Sequence, residues 1–199
     1  MRIGIDIDGV LTDLERAMYD YGTKFCYEHK LPIDLKLGFY NEQETFNWSE
    51  EQAEQFWNEY LIDYATVYPA RAFAAEVIQK LKQEGNYICI ITARNDYRLI
   101  KENYGKMQDF VKQWLKDNNI YYDKLIFTKG SKLPYAQENQ IDVMIDDSPE
   151  NIIDISKEIP VICFHSTYNS QVEGENITRA YAWYDIYDKI KTIAFSSLV

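Results

Sequence analysis

Short runs of Ile, Val and Leu recur along the chain, separated by longer stretches in which apolar residues return every third or fourth position. The runs Arg2 to Asp6, Tyr87 to Ile91, Lys124 to Phe127, Val143 to Ile145 and Val161 to Phe164 are mostly continuous rather than alternating. Strands buried on both faces of a parallel sheet have that pattern. Between the runs, the spacing predicts helices over Phe73 to Gln83, Leu99 to Lys116, Leu133 to Glu138 and Pro149 to Ile155. Gly85 is placed to end the first of these and Pro149 to begin the last. The order is that of repeated strand–helix units, so the expected fold class is α/β, a doubly wound parallel sheet with right-handed crossovers.

One interval departs from this rhythm. Leu14 to Tyr68 holds no strand pattern but two helical stretches, Leu14 to His29 and Glu50 to Tyr64, joined by the aromatic segment LKLGFYNEQETFNWSEEQ. Within it Ser49 and Gln52 have the spacing of a capping box. The expected organisation is therefore an α/β core of residues 1–13 and 69–199 with a small helical cap, residues 14–68, inserted after the first strand over the carboxyl edge of the sheet. The tail ENITRAYAWYDIYDKIKTI predicts a last short strand and an amphipathic helix.

Composition narrows the function classes. A chain of 199 residues, 46% of them hydrophobic, can bury a substantial core. Its net charge of −11 opposes binding along a nucleic-acid polymer, and an anionic small substrate would need a metal ion or a few placed cations. Cys26, Cys89 and Cys163 are odd in number and match neither a zinc motif nor a disulfide framework, so Cys89 and Cys163 are expected as small buried hydrophobes in a reducing, cytoplasmic setting. No run of about 18 apolar residues is present and the first strand begins at once, which predicts a soluble protein without membrane partner or leader. His29 and His165 stand alone and are expected to be structural.

Ligands of doubly wound sheets bind beyond the carboxyl ends of the strands, and here those ends are chemically loaded. They read Asp6-Ile7-Asp8-Gly9, Thr92-Ala93-Arg94, Thr128-Lys129-Gly130-Ser131-Lys132 and Asp146-Asp147-Ser148. Asp6 and Asp8 share a face of an extended strand, and two such carboxylates do not both stay ionised without a cation. With Asp146 they call for a hard divalent ion, of which Mg²⁺ is the natural one because it also accepts substrate phosphate oxygens. A lysine and a threonine hydroxyl in the same crevice suit phosphoryl transfer, where catalysis is mostly positioning and charge neutralisation.

DIDGVLTD, ITAR, the Lys132 region and IDDSPENI resemble, in order, the four motifs of haloacid dehalogenase superfamily phosphatases, and a helical insert between the first two is the arrangement called C1. Within the superfamily these motifs and the tail RAYAWYDI look most like the 5′(3′)-deoxyribonucleotidase family and its bacterial relatives. The resemblance implies Asp6 as nucleophile and Asp8 as acid and base. It implies a metal held by Asp6, the Asp8 backbone carbonyl and Asp146, with Asp147 in support. Thr92 and Lys132 would hold phosphoryl oxygens, Arg94 would contact substrate, and the reaction would be Mg²⁺-dependent hydrolysis of a nucleoside monophosphate.

Several positions keep a second reading. Asp8 could brace the turn at Gly9, Thr92 and Asp147 could be helix N-caps, Lys129 competes with Lys132, and Arg94 could be an exposed helix-start residue. Phe39, Tyr40, Phe46, Trp48, Phe56 and Trp57 could stack on a nucleobase or form the core of the insert. The same chemistry would also serve a sugar phosphate or another small phosphometabolite. A receiver-like signalling module or an inactive phosphate-binding protein fits less well, since receivers lack the helical insert and all four motifs are intact.

Overall fold

A computed structural model describes residues 1–95 and 106–196. In chain order they form β1 (Arg2–Ile5), α1 (Leu14–Glu28), α2 (Glu42–Phe46), α3 (Glu50–Thr66), α4 (Ala74–Gln83), β2 (Tyr87–Thr92), α5 (Met107–Asp117), β3 (Lys124–Phe127), α6 (Leu133–Glu138), β4 (Val143–Asp146), α7 (Pro149–Ile155), β5 (Val161–Phe164), β6 (Ile177–Ala180) and α8 (Trp183–Ser196). The five strands anticipated over the apolar runs form within one residue of the expected bounds. Of the helix expected over Leu99 to Lys116, the stretch from Met107 is present, and residues 99–105 lie outside the described residues. The five-residue α2 was not anticipated. It is too short to show a period and is set by its ends, where the Asn41 side chain accepts the Glu44 N–H and Asn47 turns left-handed at φ 55°.

The strands make one all-parallel sheet in the order β3-β2-β1-β4-β5-β6. The chain runs outward from β1 through β2 to β3, then returns to the other side of β1 with β4. The crevice between β1 and β4 is thus the topological switch point, where an open α/β sheet receives its ligand.

Alternate residues of each strand feed opposite faces, which explains the unbroken apolar runs. Ile3, Ile5, Ile88, Ile90, Val143, Ile145 and Ile162 pack with Val77, Ile78 and Leu81 of α4, Val111 and Trp114 of α5, and Ile186 and Ile190 of α8. Cys89, Ile91, Met144, Val161 and Cys163 pack with Ala136 of α6 and Ile152 and Ile155 of α7. Both anticipated cysteines are indeed buried and unpaired, as is Cys26. At Gly4 a Cβ would lie 2.6 Å from Met144 Sδ, so a larger residue there would have to push the Met144 side chain aside.

Helices α1 to α3 build an aromatic core of their own from Phe25, Phe46, Trp48, Phe56 and Tyr60. Phe46 and Trp48 stack at 4.5 Å between centroids, and Phe25 meets Phe56 edge-on at 5.7 Å. Ser49 and Gln52 form the expected capping box at the start of α3. Leu61 and Ala65 of the same helix join the main core, which ties this segment to the sheet.

Candidate active site

Asp6 follows directly on β1, and its N–H donates to Ile145 O at 3.0 Å, so the sheet ladder itself fixes the residue. The chain then leaves the sheet by a tight turn: the Leu11 and Thr12 N–H groups both donate to Ile7 O at 2.9 Å, and Arg71 clamps the loop through Gly9 O, Thr12 O and Asp13. Gly9 has φ +72°, and a Cβ there would lie 1.8 Å from Asp147 Oδ2. No other residue fits, because the turn requires left-handed backbone and the space is already taken by a carboxylate.

Three carboxylates, those of Asp6, Asp146 and Asp147, each place an oxygen within 4.8 Å of the others, all buried. Lys132, 2% exposed, puts Nζ 2.7 Å from Asp6 Oδ1 and 2.8 Å from Asp146 Oδ2. Lys132 is therefore the lysine that meets the carboxylates, while Lys129 is exposed. Asp146 also accepts the Ser148 N–H at 3.0 Å and is approached by Asn151 Nδ2 at 3.3 and 3.4 Å. Asp147 accepts a hydrogen bond from Tyr168. Its backbone carbonyl accepts from Asn169 Nδ2 at 2.8 Å, with Asn169 in turn held by Arg179 at 2.8 Å. Asp147 is not the N-cap of α7, a position that falls to Ser148.

Electrostatically the cluster is unbalanced. Three carboxylates against one ammonium leave two formal negative charges in a buried site, which is costly without a counter-ion. Burial, opposed in part by Lys132 and reinforced by the Asp146 and Asp8 carboxylates, pushes the Asp6 carboxyl up to about 7. Burial and the Asp146 and Asp6 charges likewise drive Asp147 well above the usual carboxylate range. Lys132 is raised despite its burial because Asp146 and Asp6 face it. Among the described residues Asp6 Oδ1 makes no hydrogen bond although it is buried. Its 2.7 Å approach to Lys132 is an ionic contact without the alignment of a hydrogen bond. Three carboxylates sharing a single ammonium, with surplus negative charge and hard oxygen donors, fit a small divalent cation.

Asp8 is placed differently from the expectation. Its carboxylate does not join the cluster, where Asp147 stands instead, and is held by Arg94 at 2.7 to 3.2 Å and by the Tyr64 hydroxyl at 2.6 Å. Burial would raise it, but the guanidinium prevails and holds it below its ordinary value. Arg94 is 3% exposed, which excludes the exposed helix-start reading. Thr92 is fully buried at the end of β2, and its hydroxyl oxygen accepts the Arg94 N–H at 3.1 Å.

Above these groups opens a cleft of about 310 Å³, lined by Asp6, Asp8, Arg94 and Lys132 below and by Leu14, Met18, Trp57, Leu61, Tyr64 and Met107 on its walls, with Tyr40, Asn41 and Glu42 also bordering it. Of the six aromatics singled out in the sequence, Tyr40 and Trp57 line it. Phe46, Trp48 and Phe56 belong to the core of α1 to α3, and Phe39 is exposed. Tyr64, Asn151, Tyr168 and Asn169 were not anticipated. Asn151 lies within IDDSPENI, but nothing marks Tyr64 or Tyr168 among 17 tyrosines.

Residues 1–195 match the family described as 5′ nucleotidase, deoxy (pyrimidine), cytosolic type C. A Bacillus cereus protein that carries a provisional nucleotidase name is 28% identical over 198 residues, covering 96% of this chain and 98% of that one. A nucleotidase of Clostridium acetobutylicum is 27% identical over 189 residues, covering 94% and 92%. A haloacid dehalogenase-like hydrolase from Streptococcus pneumoniae has the same fold at 14% identity, with a TM-score of 0.62 over 95% of this chain and 97% of that one.

Proposed function

The chain belongs to the 5′ nucleotidase, deoxy (pyrimidine), cytosolic type C family, and from that premise we propose that this phosphoric monoester hydrolase is a Mg²⁺-dependent nucleotidase acting on nucleoside monophosphates through an aspartyl-phosphate on Asp6. One observation carries the reading: Asp6, Asp146, Asp147 and Lys132 converge at the β1/β4 switch point, beneath a cleft walled partly by aromatic side chains. The polar floor suits a phosphate and the Trp57 and Tyr40 rings suit a flat base.

In this reading Asp6 attacks phosphorus, forming an O–P bond as the ester O–P bond breaks, and Asp8, ionised at rest, takes the proton of the phosphate monoester monoanion and hands it to the departing oxygen. Asp8 then takes a proton from water as the water oxygen bonds phosphorus and the Asp6–P bond breaks, releasing inorganic phosphate. Lys132 and the Thr92 hydroxyl hold phosphoryl oxygens in place. Asp6, Asp146 and the Asp8 backbone carbonyl would hold the metal, with the Asp147 carboxylate close by. When bound, Mg²⁺ supplies charge neutralisation at the Asp6 carboxylate and a phosphoryl oxygen. Helices α1 to α3, residues 14–68, serve as the cap that limits water in the cleft and reads the substrate, on the core of residues 1–13 and 69–199. A cytoplasmic setting accords with three unpaired cysteines, and among the described residues no helix is long and apolar enough to cross a membrane.

Phosphate release from a panel of ribo- and deoxyribonucleoside 5′- and 3′-monophosphates and sugar phosphates, with and without Mg²⁺, tests the assignment. Turnover is expected with nucleotides and only with the metal; a preference for sugar phosphates, or full activity in chelator, would overturn it.

The same charge surplus predicts a pH-dependent metal effect on stability. Between about pH 4 and 7 the folded protein holds a proton on Asp6 that the unfolded chain has lost, so stability without metal falls as pH rises through that window. A divalent cation replaces that proton. Mg²⁺ is therefore expected to raise the melting temperature more at pH 8 than at pH 5.5. An equal rise at both would show that the ion binds elsewhere.

A further inference from the structure

The proposed proton-transfer carboxylate, Asp8, is held in an uneven way. Its Oδ1 accepts three hydrogen bonds, from Arg94 Nε at 2.9 Å, Arg94 Nη2 at 2.7 Å and Tyr64 Oη at 2.6 Å. Its Oδ2 receives a single longer one, from Arg94 Nε at 3.2 Å. The two donor side chains are themselves fixed. The Arg94 guanidinium lies 4.8 Å from the centre of the Tyr64 ring and 5.7 Å from that of Trp114. The Tyr64 phenol oxygen, its own proton given to Asp8, accepts from Thr12 Oγ1 at 2.8 Å. Arg94 and Tyr64 are 3% and 4% exposed, whereas the Asp8 side chain keeps 25% of its surface at the cleft.

A carboxylate oxygen with three close donors has no free lone pair for a fourth partner, while its neighbour does. We propose that Arg94 and Tyr64 are positioning residues for Asp8: they anchor Oδ1 so that Oδ2 is the oxygen that passes the proton to the leaving group and recovers one from water. Arg94 then acts through Asp8 with Nε and Nη2, while its Nη1 makes no hydrogen bond among the described residues. Tyr64 belongs to α3, whereas Asp8 and Arg94 follow β1 and β2. The anchor is complete only when α3 is seated against the sheet, so the helical segment sets the geometry of proton transfer as well as walling the cleft. The inference rests on the assignment of Asp8 as acid and base.

The test compares two aryl phosphates that differ in their need for an acid. Phenyl phosphate expels a basic phenolate that requires protonation, and 4-nitrophenyl phosphate expels a much weaker base that does not. The quantity measured is the ratio of kcat/KM for 4-nitrophenyl phosphate to that for phenyl phosphate, which reports the step in which the leaving group departs. Asp8→Asn is expected to raise this ratio by about 10²-fold or more, the usual range for a general acid. Tyr64→Phe, which deletes one hydroxyl, is expected to raise it about tenfold, and Arg94→Lys, which keeps the charge but loses the paired donors, to raise it likewise. Melting curves establish that each variant is folded; if Tyr64→Phe does not fold, Arg94→Lys decides alone.

An Asp8→Asn ratio that rises while the Tyr64→Phe and Arg94→Lys ratios stay at the wild-type value would overturn the positioning role and leave the acid assignment standing. An unchanged ratio in Asp8→Asn would remove the acid assignment and the inference with it.

Discussion

Asp6→Asn is expected to lose turnover by about 10⁴-fold or more, the scale on which removing a covalent nucleophile acts, while its metal-free form melts at the wild-type temperature or above it. The two halves of this result come from the same geometry. The amide keeps the shape of the carboxylate but cannot attack phosphorus and form an acyl phosphate. It also removes one of three charges crowded at the β1/β4 edge, where burial and the neighbouring carboxylates already push Asp6 up to about 7. Above that pH the wild-type protein without metal bears a cost that the variant does not. Phosphate-release assays and melting curves in chelator at pH 8 check both. A variant with a tenth of wild-type activity would contradict the nucleophile, and one that melts well below wild type would contradict the charge account.

Lys132→Met is expected to fail in the opposite sense, losing both activity and stability. Lys132 touches Asp6 at 2.7 Å and Asp146 at 2.8 Å, with all three side chains buried. Removing one partner from such a group leaves uncompensated buried charge, at a cost of about 3–5 kcal/mol. In a domain of this size that corresponds to a fall in melting temperature of roughly 6–20 °C. The sign has a control: acid pH protonates the orphaned carboxylates, and Mg²⁺ neutralises them, so either should recover part of the lost stability. A Lys132→Met protein as stable as wild type in chelator at pH 8 would mean that the lysine does not balance the cluster.

The contrast between these variants separates the chemistry from the support of the fold. Both side chains are buried at one sheet edge, yet one is held there at an energetic cost and the other relieves it. This division explains why the β1 carboxyl end tolerates an acid between Ile5 and Ile7, both fully buried: the site is built around a positive charge, with room for more.

The sheet was legible because burial on both faces leaves continuous apolar runs, and Lys124 to Phe127 and Val161 to Phe164 formed at the bounds read from the pattern. Helix α2 escaped because five residues carry no period; its definition lies in Asn41 and Asn47, whose capping is visible only once the chain is folded. The meeting of Asp6, Lys132 and Asp146 was legible because each ends a strand or follows one closely, and strand ends converge by topology alone. The partners of Asp8 and Asp147 were not. Tyr64 reaches Asp8 from 56 residues away and Tyr168 reaches Asp147 from 21. No local pattern records such a meeting, because it depends on how α3 and the loop after β5 pack on the sheet. The Asp8 partnership of Arg94 was hidden for a related reason: sequence places the residue in the crevice, where it does line the cleft, and only packing against Tyr64 and Trp114 turns its guanidinium onto Asp8.

The measurement that bears most directly on the central claim is chemical trapping of the covalent intermediate. The protein is mixed with excess 4-nitrophenyl phosphate and Mg²⁺, quenched in acid and treated with borohydride, which reduces an aspartyl-phosphate to homoserine; the amino-terminal peptide is then sequenced by mass spectrometry. The account predicts homoserine at position 6, dependent on substrate and absent from Asp6→Asn. Homoserine at Asp8, Asp146 or Asp147 in place of Asp6 would contradict it.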